Sequence, residues 1–308
     1  MYRIGIDLGG TNIAVGVVNE QHHIVFQTSR PTEATRPYQE VIADMIDAVE
    51  AALLGAGVGI ADCASIGIGS PGTCDSQLGV VVRAYNLGWF HVPICQIMQE
   101  HFGIPVRISN DANVAALAEV VAGGAQDCRN MVLITLGTGV GGGIIIDGKI
   151  YAGMRSAGAE LGHSLLVLDG EPCTCGRKGC WEAYASVTAL IHQGKRAAME
   201  HPESGLAGLK NMMGIDILRC ADQGDAVAQQ VVDRWCEYVA AGLTDIVNTL
   251  APEKILIGGG ISKQGERILA PMRAYVVAHC FGQSEGAVPE IQCAMLGNEA
   301  GIIGAAAL

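Results

Sequence analysis

Residues 3–18 read RIGIDLGGTNIAVGVV: an apolar run, a Gly-Gly-Thr-Asn turn, then a second apolar run rich in β-branched residues. That order predicts strand, turn, strand. Residues 131–146, MVLITLGTGVGGGIII, repeat it, and Leu8 and Gly9 are matched by Leu136 and Gly137 at a constant offset, so one supersecondary unit opens each half of the chain. VRIS (106–109) and KILI (254–257) predict further strands. Helical spacing appears over 37–54, where Val41, Met45 and Val49, and Ile42 and Ile46, recur at i,i+4 and mark a core-facing stripe. Further helices are expected from about Asn113 to 121, over 182–199, over 265–279, and near 298–308 at the end of the chain.

Gly137, Gly139 and Gly142 satisfy G-x-G-x-x-G, but that dinucleotide fingerprint requires a helix directly after the glycines. Here GIIIDGKIY follows, and Asp147-Gly148 reads as a hairpin turn between strands. The Rossmann reading fails on context, and there is no G-x-x-x-x-G-K-[ST] to indicate a P-loop.

At 308 residues the chain is expected to form about two domains. Half of the residues are hydrophobic and only 16% are charged, which excludes global disorder. Aromatics are 5% while glycines number 42, so the core must be built of small aliphatic residues with close backbone approaches. The uncharged stretch 131–146 is too short and too rich in glycine to span a bilayer, and no membrane partner is expected. A net charge of −12 argues against nucleic-acid binding through a basic surface. MYRIGIDLGG enters a strand without an export signal, and the eleven cysteines are odd in number and mostly dispersed, so a reducing cytoplasm is expected.

The two hairpins offer backbone N–H groups and Thr hydroxyls suited to phosphate oxygens: Gly9, Gly10, Thr11 and Asn12 in the first, Thr138 and Gly139 in the second. The other reading is a pair of tight hairpins with no ligand. Asp7 ends the first apolar strand, a costly place for a carboxylate unless hydrated Mg²⁺ or a hydrogen-bond network uses it. His163, Cys173, Cys175 and Cys180 lie within eighteen positions and form the donor set of a structural tetrahedral Zn²⁺, with Gly176 and Gly179 allowing the loop to fold tightly. Three reduced thiols are the alternative. Folding around a metal would bring Glu160 and Glu182 toward one cavity, where carboxylates grip vicinal hydroxyls; otherwise they are surface or helix-terminal acids. Asp111 reads from spacing alone as an N-cap.

DLGGTN (7–12), TLGTGVGGG (135–143) and IGGGIS (257–262) resemble the nucleotide-binding segments of the sugar-kinase, actin and heat-shock ATPase superfamily. Within it, Glu160-Leu-Gly-His163 and the cysteine motif resemble the ROK family, and CWEAYAS (180–186) is similar to its bacterial glucokinases. The resemblance implies a two-lobed α/β, actin-like (RNase H-like) ATPase fold. Residues 1–120 plus 298–308 would form a smaller lobe and 121–297 a larger lobe carrying the zinc loop, with a ligand cleft between them. It implies Asp111 as general base, Asn110, Glu160, His163 and Glu182 on the sugar, and a closed rather than catalytic zinc site. Gly72 in SPG (70–72) and the NLGW loop (86–89) would serve the substrate side, and Gly259 and Gly260 would lie against the adenosine. The expected reaction is ATP- and Mg²⁺-dependent phosphorylation of a hexose, glucose at its 6-hydroxyl first, with mannose, allose, fructose or an N-acetylhexosamine as alternatives. A homodimer or homotetramer is expected. A sugar-sensing regulator without its DNA-binding domain is the alternative from another class. Loss of zinc is expected to damage sugar affinity and to spare the nucleotide hairpins, which belong to separate segments.

Overall fold

The structure, a computed structural model, describes residues 1–282, 286 and 288–308. The chain forms two units: Met1–Asn130 with Gly143–Ala159 and Met295–Leu308, and Met131–Gly142 with Glu160–Ala294.

The first hairpin is β1 (Tyr2–Leu8) and β2 (Asn12–Val18), extended by β3 (Ile24–Pro31) and followed by α1 (Tyr38–Ala56) and β4 (Cys63–Ser70). Next come β5 (Thr73–Asp75), β6 (Val80–Ala84), β7 (Trp89–Val92), α2 (Ile94–Phe102), β8 (Val106–Asn110) and α3 (Asp111–Val121). The main sheet has the order β3-β2-β1-β4-β8, antiparallel through the hairpin strands and parallel from β1 to β8. Alternation puts Ile4, Ile6 and Leu8 of β1 and Ile13, Val15 and Val17 of β2 in one buried cluster with Val41, Met45 and Val49 of α1. On the other side of β1 and β4 the glycines admit the C-terminal helix Ala300–Ala306: a Cβ on Gly5 would stand 1.9 Å from the Ile302 carbonyl oxygen, and one on Gly67 1.7 Å from that of Ala305. Backbone-to-backbone approach of this kind explains a core poor in aromatics and rich in glycine. The antiparallel sheet β5-β6-β7 was not foreseen, because strands of three to five residues show no resolvable period.

The second hairpin is β9 (Met131–Leu136) and β10 (Val140–Ile146), which runs on into the first unit and turns there into β11 (Lys149–Ile150). Asp147 and Gly148 have φ of 52° and 74° at this turn, as Asp-Gly hairpin chemistry predicts. A strand after Gly142, not a helix, removes the dinucleotide reading. The second unit continues with α4 (Glu182–Ala185), α5 (Val187–Glu200), α6 (Gly214–Asp222), α7 (Ala226–Leu250), β12 (Lys254–Gly258), α8 (Glu266–His279) and β13 (Glu290–Cys293). Here β9 lies between β10 and β12, and β9, β12 and β13 are parallel, repeating the order around β1. Among the described residues no helix is long and apolar enough to cross a membrane.

The single helix expected over 182–199 is two. Ser186 leaves the helical region at φ −67°, ψ 161°, and its hydroxyl accepts the Ala189 N–H at 3.0 Å, capping α5. The Ala185 carbonyl released by the break accepts the indole N–H of buried Trp235 at 3.0 Å.

Candidate functional site

In the first unit the hairpin tip closes through the Gly9 N–H, which donates to the Asn12 carbonyl at 2.8 Å. Thr32, fully buried, braces it: its hydroxyl donates to the Gly9 carbonyl at 2.7 Å and its N–H to the Thr11 carbonyl at 3.0 Å. Nothing in the sequence pattern singles out Thr32. Thr11 and Asn12 are exposed at the tip, and a Cβ on Gly10 would meet Asn86 of the NLGW loop at 3.1 Å. That loop lines a cavity of about 710 Å³ with Tyr38, Tyr85 and Phe90.

The helix expected from Asn113 begins at Asp111, and its N-cap is Asn110 rather than Asp111. The Asn110 Oδ1 accepts the Ala112 N–H at 2.9 Å while its amide donates to the Gly72 carbonyl at 2.9 Å, drawing the SPG turn to the head of α3. Gly72 has φ 81° and a Cβ there would stand 2.1 Å from the Arg83 carbonyl oxygen, so only glycine fits. With the cap supplied by its neighbour, Asp111 occupies the first turn, where helix N–H groups favour a carboxylate. Asp7, at the end of β1, packs against Gly301, where any Cβ would stand 2.4 Å from the carboxylate. Burial, reinforced by the negative charge of Asp111, pushes the Asp7 carboxyl up to about 6 from its ordinary 3.8. The folded chain thus holds this proton more tightly than the unfolded chain, and the favourable contribution present at acid pH is lost as pH rises from about 4 to about 6. Asp7→Asn, neutral throughout, is expected to raise the thermal midpoint at pH 7.5 more than at pH 4.5. Equal shifts in thermal melts at the two pH values would remove this account.

In the second unit the turn between β9 and β10 is held at its carbonyls by the start of α5: the Val187 N–H donates to Gly137 at 2.9 Å and the Thr188 hydroxyl to Thr138 at 2.8 Å. Its glycines divide by cause. A Cβ on Gly139 would lie 2.3 Å from Glu182 Oε2, so a side chain there would have to displace that carboxylate, whereas a Cβ on Gly137 meets nothing within 4 Å. Likewise Gly259 has φ 87° and abuts the Leu136 carbonyl, while Gly260 faces open space. Gly137 and Gly260 are therefore glycines whose requirement protein packing does not explain.

The metal-donor cluster assembles in the same unit. One ring nitrogen of His163 and the Sγ atoms of Cys173, Cys175 and Cys180 all lie within 4.8 Å of one another. Cys175 and Cys180 are 3.6 Å apart, and Cys173 stands 3.7 Å from His163 Nδ1. Zn–S bonds of about 2.3 Å and Zn–N bonds of about 2.1 Å require tetrahedral edges of roughly 3.5–3.8 Å, so this donor set fits zinc. Positive φ at Gly176 (86°) and Gly179 (78°) allows the loop to close. Arg177 lowers the exposed Cys175 thiol to about 6, while burial raises Cys173 to about 12. Glu182, at the start of α4, accepts the Val140 N–H on Oε2 at 3.0 Å and the Thr174 hydroxyl on Oε1 at 2.9 Å. Glu160 is exposed at the first residue of this segment, its carbonyl accepting the His163 N–H at 3.0 Å.

Two sheets built to the same order, each led by a glycine hairpin, define an actin-like ATPase fold. Residues 3–308 match the ROK family, and the chain belongs to it. It is 37% identical over 307 residues to a glucokinase from Halalkalibacterium halodurans, covering 98% of this chain and 92% of that one. A ROK glucokinase from Streptomyces griseus, solved with glucose and AMPPNP, is 35% identical with a TM-score of 0.81, covering 100% and 98% of the two chains. A ROK transcriptional regulator, a homologue of the E. coli MLC protein, is 26% identical with a TM-score of 0.88, and 76% of its length is covered.

Proposed function

We propose that the protein is an ATP-dependent hexose kinase that phosphorylates glucose at its 6-hydroxyl. The observation that carries the reading is nearly full-length similarity to ROK glucokinases, in a chain that gathers Asn110, Asp111 and Gly72 at one helix head and retains both glycine hairpins. Asp111 accepts the proton of the sugar hydroxyl as the new O–P bond forms and the bond to the β-phosphate oxygen breaks, releasing ADP. Asn110 holds the SPG turn and presents its amide to the sugar, with Glu160, His163 and Glu182 as further hydroxyl partners. The hairpin amides at Gly9–Asn12 and at Gly137–Gly139 receive phosphate oxygens, and Gly259 and Gly260 flank the nucleoside. Mg²⁺ bound with ATP screens phosphate charge, and Asp7 is the carboxylate placed to hold its hydration shell. Zinc in the His163–Cys173–Cys175–Cys180 set is structural: it fixes the loop and the imidazole plane.

The test is ADP release with ATP across a panel of hexoses, run beside a DNA-binding assay. Glucose-dependent release is expected; DNA binding modulated by sugar, without turnover, would move the protein to the regulator class. Gly137→Val is expected to weaken ATP-analogue binding by roughly tenfold in a folded protein, because its side chain projects into space the fold leaves open. Unchanged affinity in calorimetry would remove the phosphate role from this turn.

A further inference from the structure

The second glycine turn and the cysteine loop, expected from the sequence to act separately, are joined by one side chain. Glu182 Oε2 accepts the Val140 N–H at 3.0 Å, and its Oε1 accepts the Thr174 hydroxyl at 2.9 Å, with Cys173 Sγ 3.6 Å from the same oxygen. Thr174 lies between Cys173 and Cys175, so metal donors flank it on both sides. At the other end Glu182 packs directly on the turn, since a Cβ on Gly139 would be only 2.3 Å from its carboxylate. The carbonyls of Gly137 and Thr138 are tied to α5, but the Val140 amide that opens β10 is tied to Glu182. A glycine-rich turn loses much backbone entropy on ordering, so each tether weighs on its population.

We propose that Thr174 and Glu182 form a relay through which metal occupancy of the His163–Cys173–Cys175–Cys180 set orders the Gly137–Val140 turn and thereby sets nucleotide affinity. Thr174 acts as a positioning residue. The inference rests on the reading of that turn as a phosphate-binding element. Metal fixes the backbone on both sides of Thr174; the hydroxyl then holds Glu182 in one orientation, and the carboxylate holds the first amide of β10. Removing the metal frees the first of these tethers, and the turn samples conformations in which its amides no longer converge.

Thr174→Val retains every metal donor and the shape of the side chain while deleting the hydroxyl. It is expected to keep about one equivalent of zinc and a near-normal thermal midpoint, to raise hydrogen exchange at the Val140 amide roughly tenfold, and to weaken binding of a non-hydrolysable ATP analogue, measured without sugar, by roughly three- to tenfold. Thr174→Ser should restore both readouts. Chelating the wild-type protein should reproduce both changes, and chelating Thr174→Val should add little to either. Zinc-loaded Thr174→Val with wild-type exchange and affinity overturns the relay, as does faster exchange with unchanged affinity. A wild-type protein that binds no analogue refutes the nucleotide reading instead, a result distinct from unchanged exchange in a variant whose parent binds ATP.

Discussion

Asp111→Asn is expected to lower kcat by about 10²-fold or more while leaving the glucose KM within about threefold. The amide has nearly the same shape, still accepts and donates hydrogen bonds, and stays in the first turn of α3 behind the Asn110 cap. What it lacks is basicity, so a sugar hydroxyl can be bound but not relieved of its proton. Losing a negative charge at a helix N-terminus costs about 0.5 kcal/mol, too little to unfold the protein. The substitution also removes the charge that helps hold the Asp7 carboxyl near 6, so the Asp7 value should fall. Steady-state kinetics with a thermal melt checks both parts, and near-normal turnover would leave Asp111 a structural carboxylate in the first turn.

Cys175→Ala is expected to lose most of the bound zinc and to lower the thermal midpoint by roughly 10 °C. Cys175 is exposed, so the truncation opens no core cavity, and the destabilisation reports the metal rather than lost packing. The sequence predicts greater damage to sugar affinity than to nucleotide affinity. Through Glu182 the structure links the cysteine loop to Val140, so sugar and nucleotide affinities should fall together. Metal analysis of the purified protein, a melt and the two KM values decide the matter; a metal-free wild-type protein with full activity and stability would defeat the zinc assignment.

The elements that the sequence predicted well are those whose causes are local. Each glycine hairpin joins two β-branched runs through a few residues, so pattern and turn chemistry lie within sixteen positions. Asp147-Gly148 predicted its own turn, and the Val41, Met45, Val49 stripe predicted the buried face of α1. His163 and the three cysteines were legible as a cluster because a short loop cannot carry them far apart. The ROK motifs were legible in the same way, as short runs read in order along the chain.

Only the tertiary structure decided which glycines the protein itself requires and which face open space, because that depends on what a Cβ would meet from segments remote in the chain. Leu136 excludes a side chain at Gly259 and one at Gly139 would have to displace the Glu182 carboxylate, yet a Cβ on Gly137 or Gly260 meets nothing within 4 Å. The same holds for the tethers: Thr32 reaches Gly9, Thr188 reaches Thr138, Asn110 reaches Gly72, and buried Glu119 receives the Met295 and Leu296 N–H groups at 2.9 Å. None of these pairs has a period or a motif, since a hydrogen bond across 23 to 177 residues is specified by the packing of whole elements. Ser186 likewise breaks a helix that local propensity allows, with Trp235, 50 residues from Ala185, taking up the Ala185 carbonyl that the break frees. Local sequence determined the turns and the donor set; the packing of distant strands and helices decided which of their atoms meet.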